Sequence, residues 1–557
     1  MSASYFRLLL LHQERAANIV GHDDAALDLP SRDYQPSMRL PRFCNSLFSS
    51  SSLLSYYIII DNVFGNTFFF LRTSFIHHTY LLIHISKPAQ ATQIQTKMNN
   101  IITNQPILRD VTLAACVALT TLLFLFIIYD GRRNLELPPS PVKIGIGMVP
   151  QMATVLIWRN YIYNRLHWDD DPHGKEHNRA VMSLFYPYWY KISCAIMFLG
   201  NCMLPMQFLF SSNLLDPQTG DPYQFNVICA ICYGFVFTMI GLNILLDVAI
   251  FIAKKVVEWT RVSQQLHIIC LTRRFHRFRS PLTFLLSAKI VLGGALIATE
   301  DPVVVMVTVP ISKLSESLDG FRIIQLSDLH IGVTVGRTKV KKVVDIVNDL
   351  CIGSDDACGL IALTGDIIDG EPYGLTKAIE PLAELSFGEN VPKVFVTGNH
   401  EHLHFKVDHV VTTMSDMGIV SLMNDNIRLP RGKGREEQLV LVGLEDLSRR
   451  SQRKEQQAFD GFDSENSPII LLAHQPNHLR VAERRGVDLM LSGHTHCGQF
   501  FPGTIGAWLF NSRFSGYYPR RRKTAVYVSA GTLWWGPPVR FTTRHHEITD
   551  IRLVRSR

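Results

Sequence analysis

The chain has 557 residues, 18% of them charged, with a mean hydropathy of +0.11 and a formal net charge of +7. That length exceeds the roughly 100–200 residues of a single domain, and the apolar average excludes a purely soluble, uniformly charged protein. Much of the excess positive charge sits in short loops between apolar runs, where it reports membrane orientation, so no nucleic-acid partner is indicated.

Residues 1–97 have no clear hydrophobic period: a serine run (Ser49 to Ser52) is followed by Tyr56–Ile60 and Phe68–Leu71, and Arg72, His77 and His78 interrupt what could have been a spanning stretch. Leu8–Leu11 is too short for a signal peptide and lacks a cleavage site. Met98 is the expected usual start, with the upstream stretch dispensable or a gene-model extension; the alternative is one extra, poorly conforming membrane segment near 53–84.

Residues 98–300 read as a multi-pass region of about five helices, because an uncharged run of about 18 or more residues can cross a hydrocarbon core about 30 Å thick. Val111–Tyr129, Ile192–Phe210 and Phe225–Leu246 fit cleanly. Ile144–Trp158 is short and carries Pro150 and Gln151, and Pro281–Thr299 carries Lys289, so buried core helices are the alternative for these two. The loop after the fourth candidate holds Lys254, Lys255, Arg261, Arg273, Arg274, Arg277 and Arg279; the loop after the second holds Arg159, Arg165, Lys175, Arg179 and Lys191; Ser211–Gln224 has no basic residue. This bias predicts a cytoplasmic N-terminus and a C-terminal domain on the non-cytoplasmic side, with Arg132, Arg133 and Lys143 counting against it. The part from residue 302 onward holds only Cys351, Cys358 and Cys497, an odd, sparse set that is no disulfide framework and leaves the redox compartment open.

From residue 302 to 557 the pattern changes to short β-branched runs alternating with helical stretches, which predicts a layered α/β domain. Strands are expected at Val303–Val309, Arg322–Ser327, Gly359–Thr364, Lys393–Thr397, Gln438–Gly443, Ile469–Ala473, Asp488–Ser492 and Ala525–Ser529; helices at Thr338–Leu350, Leu375–Leu385, Phe405–Met417 and Asn477–Arg485. The chemistry lies at the ends of five of those strands: Asp328-Leu329-His330, Gly365-Asp366-Ile367-Ile368-Asp369, Gly398-Asn399-His400-Glu401, His474, and Gly493-His494-Thr495-His496. Any one of these alone is more often a surface loop, a turn or a hydrogen-bonded core histidine. Together, at successive strand ends, they can place carboxylate, imidazole and amide groups on one sheet edge. Manganese, zinc and iron take that mixture of donors. Two such ions about 3.5–4 Å apart can generate hydroxide and clamp a phosphoryl group, and Asp366 is the natural bridge between them.

At these residues the chain resembles the calcineurin-like metallophosphoesterase superfamily, and Leu318-Asp319-Gly320, Ala473-His474-Gln475-Pro476 and Gly493-His494-Thr495-His496-Cys497-Gly498-Gln499 look like its membrane-attached members. The resemblance implies an α-helical multi-pass membrane region followed by an α/β domain, a layered β-sheet sandwich flanked by helices. It also implies two divalent metal ions, one held by Asp328, His330, Asp366 and His496 and the other by Asp366, Asn399, His474 and His494. His400, oriented by Asp369, would then serve the leaving group. Two departures narrow the subclass. Protein phosphatases of the superfamily continue the second motif with arginine, where this chain has Gly370 after Asp369; purple acid phosphatases carry tyrosine where this chain has Asp369. The expected activity is therefore hydrolysis of phosphate mono- or diesters. The short distance from the last apolar run to Asp328, with the basic run Arg520-Arg521-Arg522-Lys523, points to the lipid bilayer as partner and a phospholipid or lipid-linked ester as substrate. The competing expectations are a membrane scaffold with a vestigial phosphoesterase domain, and a transporter, for which Lys289 and Asp247 are the candidate intramembrane charges.

Overall fold

The computed structural model describes residues 192–203, 206, 215–260, 273–352, 358–385, 391–404, 406–430, 438–449, 452–462, 466–519 and 524–556. The expected segments at Val111–Tyr129 and Ile144–Trp158, the stretch 1–97 and the basic run 520–523 lie outside them.

Two six-stranded mixed sheets form the C-terminal part. The first runs β1 (Val303–Ile311), β12 (Glu547–Arg555), β2 (Arg322–Leu326), β3 (Leu360–Thr364), β4 (Lys393–Val396), β5 (Val420–Ser421). The second runs β10 (Gly516–Tyr518), β11 (Ala525–Val528), β9 (Leu489–Ser492), β8 (Ile469–Leu472), β7 (Leu439–Gly443), β6 (Asp425–Leu429). Strands β2 to β5 are mutually parallel, as are β7, β8, β9 and β11, so their C-terminal ends lie on one edge of each sheet.

Strand alternation sorts side chains into three layers. Ile323, Leu360, Ala362, Val394 and Val396 of the first sheet meet Leu439, Leu441, Ile470, Leu472, Leu489 and Leu491 of the second in a shared core. The other face of the first sheet, with Ile324, Leu326, Ile361, Leu363 and Phe395, packs against Val340, Val343, Val344 and Val347 of an amphipathic helix, Arg337–Ile352. Because both faces of these strands are covered, their sequences read as continuous apolar runs. Gln325 is a polar residue in the middle of this apolar packing: its Nε2 donates to Thr364 Oγ1 at 2.9 Å and to the Ser492 carbonyl at 3.0 Å, tying the two sheets together beneath the ligand-bearing edge.

Several expectations are revised. Leu375–Leu385 is not one helix: Pro381 lacks the N–H that an α-helix needs, and the segment is a short turn, Thr376–Ile379, running into a 3-10 turn at Glu380–Glu384. Strands β5, β6, β10 and β12 are additional. Cys351 and Cys358 are joined in a disulfide, so the soluble cysteines are a pair plus the buried, free Cys497.

Among the described residues two helices are long and apolar enough to cross a membrane, over Gln224–Ala253 and Pro281–Thr299. They belong to α1 (Gln224–Thr260) and α2 (Arg273–Thr299), and a shorter apolar helix occupies Ile192–Met203. Helices α1 and α2 pack together through Phe235 and Phe284 (ring centroids 4.7 Å apart), Asn243 to Thr283 (3.2 Å) and an ion pair between Arg279 and Asp247 at 2.6 Å. Asp247 thus has a countercharge on the neighbouring helix.

The same helices pack on the sandwich. Phe500 and Val539 enter the cluster formed by Met197, Phe235, Val236, Met239 and Val291. Thr238 Oγ1 donates to the Phe501 carbonyl at 3.1 Å. At Gly241 a Cβ would sit 2.5 Å from Pro502 Cγ, so only glycine allows this approach.

Candidate metal centre

The edge where β2, β3, β4, β8 and β9 end gathers all nine residues singled out by the sequence. Asp328, His330, Asp366, His494 and His496 all have positive φ, between 47° and 70°, a conformation that costs non-glycine residues energy and that tertiary contacts must hold in place. Glycines let the loops close up. A side chain at Gly398 would collide with the Asp366 carboxylate, and one at Gly493 would collide with Ser327 and Asp328.

Three groups of donor atoms come within coordinating range of one another: Asp328, His330 and His496; Asp366, His474 and His494; and His330, Asp366 and His400. His330 Nε2 and His496 Nε2 face each other at 3.0 Å, and His496 Nε2 is 3.4 Å from Asp328 Oδ1. His330 Nε2 lies 3.8 Å from Asp366 Oδ2, which places Asp366 between the groups. On the other side of that carboxylate, His474 Nε2 lies 3.0 Å from Asp366 Oδ2, while its Nδ1 is 2.8 Å from the Thr364 carbonyl. The Nδ1 hydrogen therefore goes to the backbone, and Nε2, facing a carboxylate oxygen, is left to carry either a proton or a cation. Asn399 Oδ1 is buried with no hydrogen-bond partner. Donor atoms 3–4 Å apart are spaced like the ligands of an ion bound at about 2.0–2.2 Å. Ring nitrogens and carboxylate oxygens converging at this spacing, with a buried amide oxygen that has no partner, are what cations would satisfy, so these residues fit a divalent pair.

Electrostatics point the same way. Burial opposes the charge on Asp366, yet His474 and His400 hold it well below the usual carboxylate range. Burial raises Asp328, and the neighbouring Asp366 charge adds to that despite His474 and His330. His474 is raised well above its ordinary value because Asp366 and Asp328 outweigh its desolvation. His494 and His496 are lowered, His494 to about 4, by burial first and then by neighbouring cations, which keeps their rings neutral. Protons occupy positions in this cluster that cations would take, so metal uptake should release them.

His400 lies beside the cluster. Its Nδ1 is 2.5 Å from Asp369 Oδ1 and its Nε2 4.0 Å from Asp366 Oδ2, so the ring is clamped on one side and directed inward on the other. Burial opposes protonation, but Asp369 and Asp366 prevail and raise His400 to about 9. Asp369 is lowered by His400 and His330 against its own burial.

Four residues have supporting roles that the sequence reading did not assign. Glu401, fully buried, accepts the backbone N–H groups of Asp366 (3.0 Å), Ile367 (2.7 Å), Ile368 (3.1 Å) and Gly398 (2.7 Å), fixing both loops that carry Asp366 and Asn399. Its place directly after His400 was a readable signal: an acid in an otherwise ligand-bearing turn. Asp446, at the end of β7, is buried and receives Gln475 Nε2 at 2.9 Å, which extends the strand-end rule to a sixth strand. Arg540, 1% exposed, donates to the carbonyls of His496, Ala530 and Leu533. Trp535 stands edge-on to His400, ring centroids 5.8 Å apart, held by Gln499. Arg540 and Trp535 come from a loop with no local motif, and only the tertiary structure reveals them.

A family model described as calcineurin-like phosphoesterase matches residues 321–498. The chain is 38% identical over 280 residues to the transmembrane protein with metallophosphoesterase domain of Danio rerio, covering 49% of this chain and 62% of that relative. It is 30% identical over 414 residues to the protein of the same name from Bos taurus, covering 72% of this chain and 86% of the relative. It is also 30% identical over 251 residues to an uncharacterized metallophosphoesterase of Helicobacter pylori, with 44% and 62% covered. The chain belongs to the calcineurin-like phosphoesterase family.

Proposed function

We propose that this chain is a membrane-anchored, two-metal hydrolase of phosphate mono- or diesters. The observation that carries the reading is Asp366, buried between His330 on one side and His474 on the other, with Asn399 Oδ1 left without a partner nearby in the chain. Asp328, His330, Asp366 and His496 would hold one ion and Asp366, Asn399, His474 and His494 the other. Manganese, zinc or iron at these donors would supply a water-derived nucleophile at neutral pH and neutralise charge developing on the phosphoryl oxygens. His400 gives its Nε2 proton to the departing oxygen, and Asp369 keeps the ring in the tautomer and orientation that this transfer requires. Glu401 holds the two loops still while the phosphoryl group turns over.

A lipid-linked ester as substrate is supported by the packing of α1 and α2 against 500–502 and 537–541, the latter following closely on Trp535, which stands edge-on to His400. Five spans rest on the apolar runs, and a non-cytoplasmic side for the domain is then supported by most of the loop charges. The Cys351–Cys358 disulfide supports that side, since such bonds persist in oxidising compartments. The scaffold reading is disfavoured because a vestigial site has no reason to keep five non-glycine residues in left-handed conformations.

The test is metal analysis of the detergent-purified full chain, with turnover of p-nitrophenyl phosphate and bis-p-nitrophenyl phosphate before and after His400→Ala. About two ions per chain and a fall in kcat of about 10²–10⁴-fold are expected. Metal-replete protein that cleaves neither ester would restore the scaffold alternative.

A further inference from the structure

Helix α3, Gly503–Phe510, reads Gly-Thr-Ile-Gly-Ala-Trp-Leu-Phe and has no buried residue. Trp508 is 67% exposed, Leu509 58% and Phe510 79%. Large apolar side chains exposed together in this way mark an interaction surface.

Its position says what covers it. The apolar stretch Gln224–Ala253 of α1 has 30 residues, about 45 Å of helix, against a hydrocarbon core of about 30 Å. Its first part packs instead on the sandwich, at Gly234 against Pro537 and at Gly241 against Pro502. Large exposed apolar side chains stand along α1 at Ile228 and then from Phe237 through Ile244, Leu245, Val248, Phe251, Ile252 and Val256, and along α2 from Leu282 to Leu296. Pro502, the residue capping α3, touches α1 at Gly241, within that apolar stretch. Exposed Trp535 and Phe541 continue the apolar surface, Phe541 beside Gly293 of α2 and Trp535 against His400.

The geometry points to α3 as a lip that lies in the headgroup region of a phospholipid bilayer, with Trp535 and Phe541 bordering it and the mouth of the His400 site opening at that level. Tryptophan is the residue best suited to that depth, having an apolar body and one polar N–H. An amphiphilic phosphoester could then present its headgroup to the site while its chains stay in the bilayer. This rests on the membrane-anchored reading and is independent of turnover.

Full-length protein is reconstituted in phosphatidylcholine nanodiscs, with and without lipids brominated near the glycerol end of the acyl chain. The Trp508 component is the fluorescence difference between wild type and Trp508→Phe. We expect bromolipid to remove about half or more of that component and aqueous iodide to leave it nearly unchanged, as for a side chain buried about 5–10 Å deep. Phe510→Trp in the Trp508→Phe background moves the reporter two residues along and should behave alike. Quenching by iodide alone would overturn the inference, and protection from both quenchers would replace the bilayer with a protein cover or a second copy. Absence of ester turnover by the wild type, whatever the quenching, would count against the phosphoesterase reading instead.

Discussion

Glu401 and Asp369 act through neighbours, and their removal should look different. Glu401 supports four backbone amides, so Glu401→Gln loosens the Asp366 and Asn399 loops without deleting a proposed ligand. Metal affinity should fall about 10–100-fold, read by chelator competition, while saturating metal restores most of kcat. Asp369, together with Asp366, raises His400 to about 9, and Asp369→Asn removes the larger share of that elevation. A general acid is active while protonated, so rate falls as pH rises through its pKa; losing the carboxylate must move the alkaline limb of the kcat profile to lower pH. Bound cations would lower the pKa in both proteins and leave the direction of the difference unchanged. An unmoved limb would remove His400 from the acid role.

At the scale of elements, strand β3 shows why so much was readable. Leu360–Thr364 is buried on both faces and ends at Gly365-Asp366, so apolar run, glycine and carboxylate appear in the order in which they are used. The same grammar marks β2, β4, β8 and β9. Strand β12 was missed because Ile548, Ile551 and Leu553 break the two-residue period, and its partner β1 is 244 residues away in register, Val303 opposite Glu547. The helix expected at Phe405–Met417 is present as Val407–Asp416, and a separate short helix, Asn399–His404, precedes it because the turn after β4 coils at once. Docking between α1 and the 499–502 loop was invisible, since Gly241 reads simply as a small residue in an apolar run. Gly241→Val should push against Pro502 and cost about 1–3 kcal/mol, seen as a lower unfolding temperature in detergent. An unchanged unfolding temperature would mean that the contact carries no stability.

For the molecule as a whole, the buried His546 joins the end of α2 to the sandwich, its Nε2 2.9 Å from the Glu300 carbonyl. Burial, followed by Arg540 and Lys339, lowers it to about 4 despite that hydrogen bond. A histidine depressed on folding leaves stability intact above its unfolded value near 6.5; below it the unfolded chain takes up a proton the folded one refuses. Stability should therefore decline between about pH 6.5 and 4, by on the order of 3 kcal/mol, and His546→Gln should flatten that slope. Equal slopes in thermal scans would refute it. The disulfide offers a check on compartment: peptide mapping without reductant should recover Cys351 linked to Cys358 from native membranes, and two free thiols there would argue for a cytoplasmic domain.

Arg540 has a practical bearing on how the protein is handled. Its backbone N–H is bonded to the carbonyl of Gly294 in α2 at 2.8 Å, while its guanidinium grips the carbonyl of His496. One residue thus spans from an apolar helix to the backbone of a member of the cation cluster. Cutting the chain at Pro302 to obtain a tractable fragment would strip the anchor from that arginine, and a harsh detergent that splays α1 from α2 would tug on it. Poor metal occupancy in such a preparation would then report the solubilising agent before it reports the enzyme.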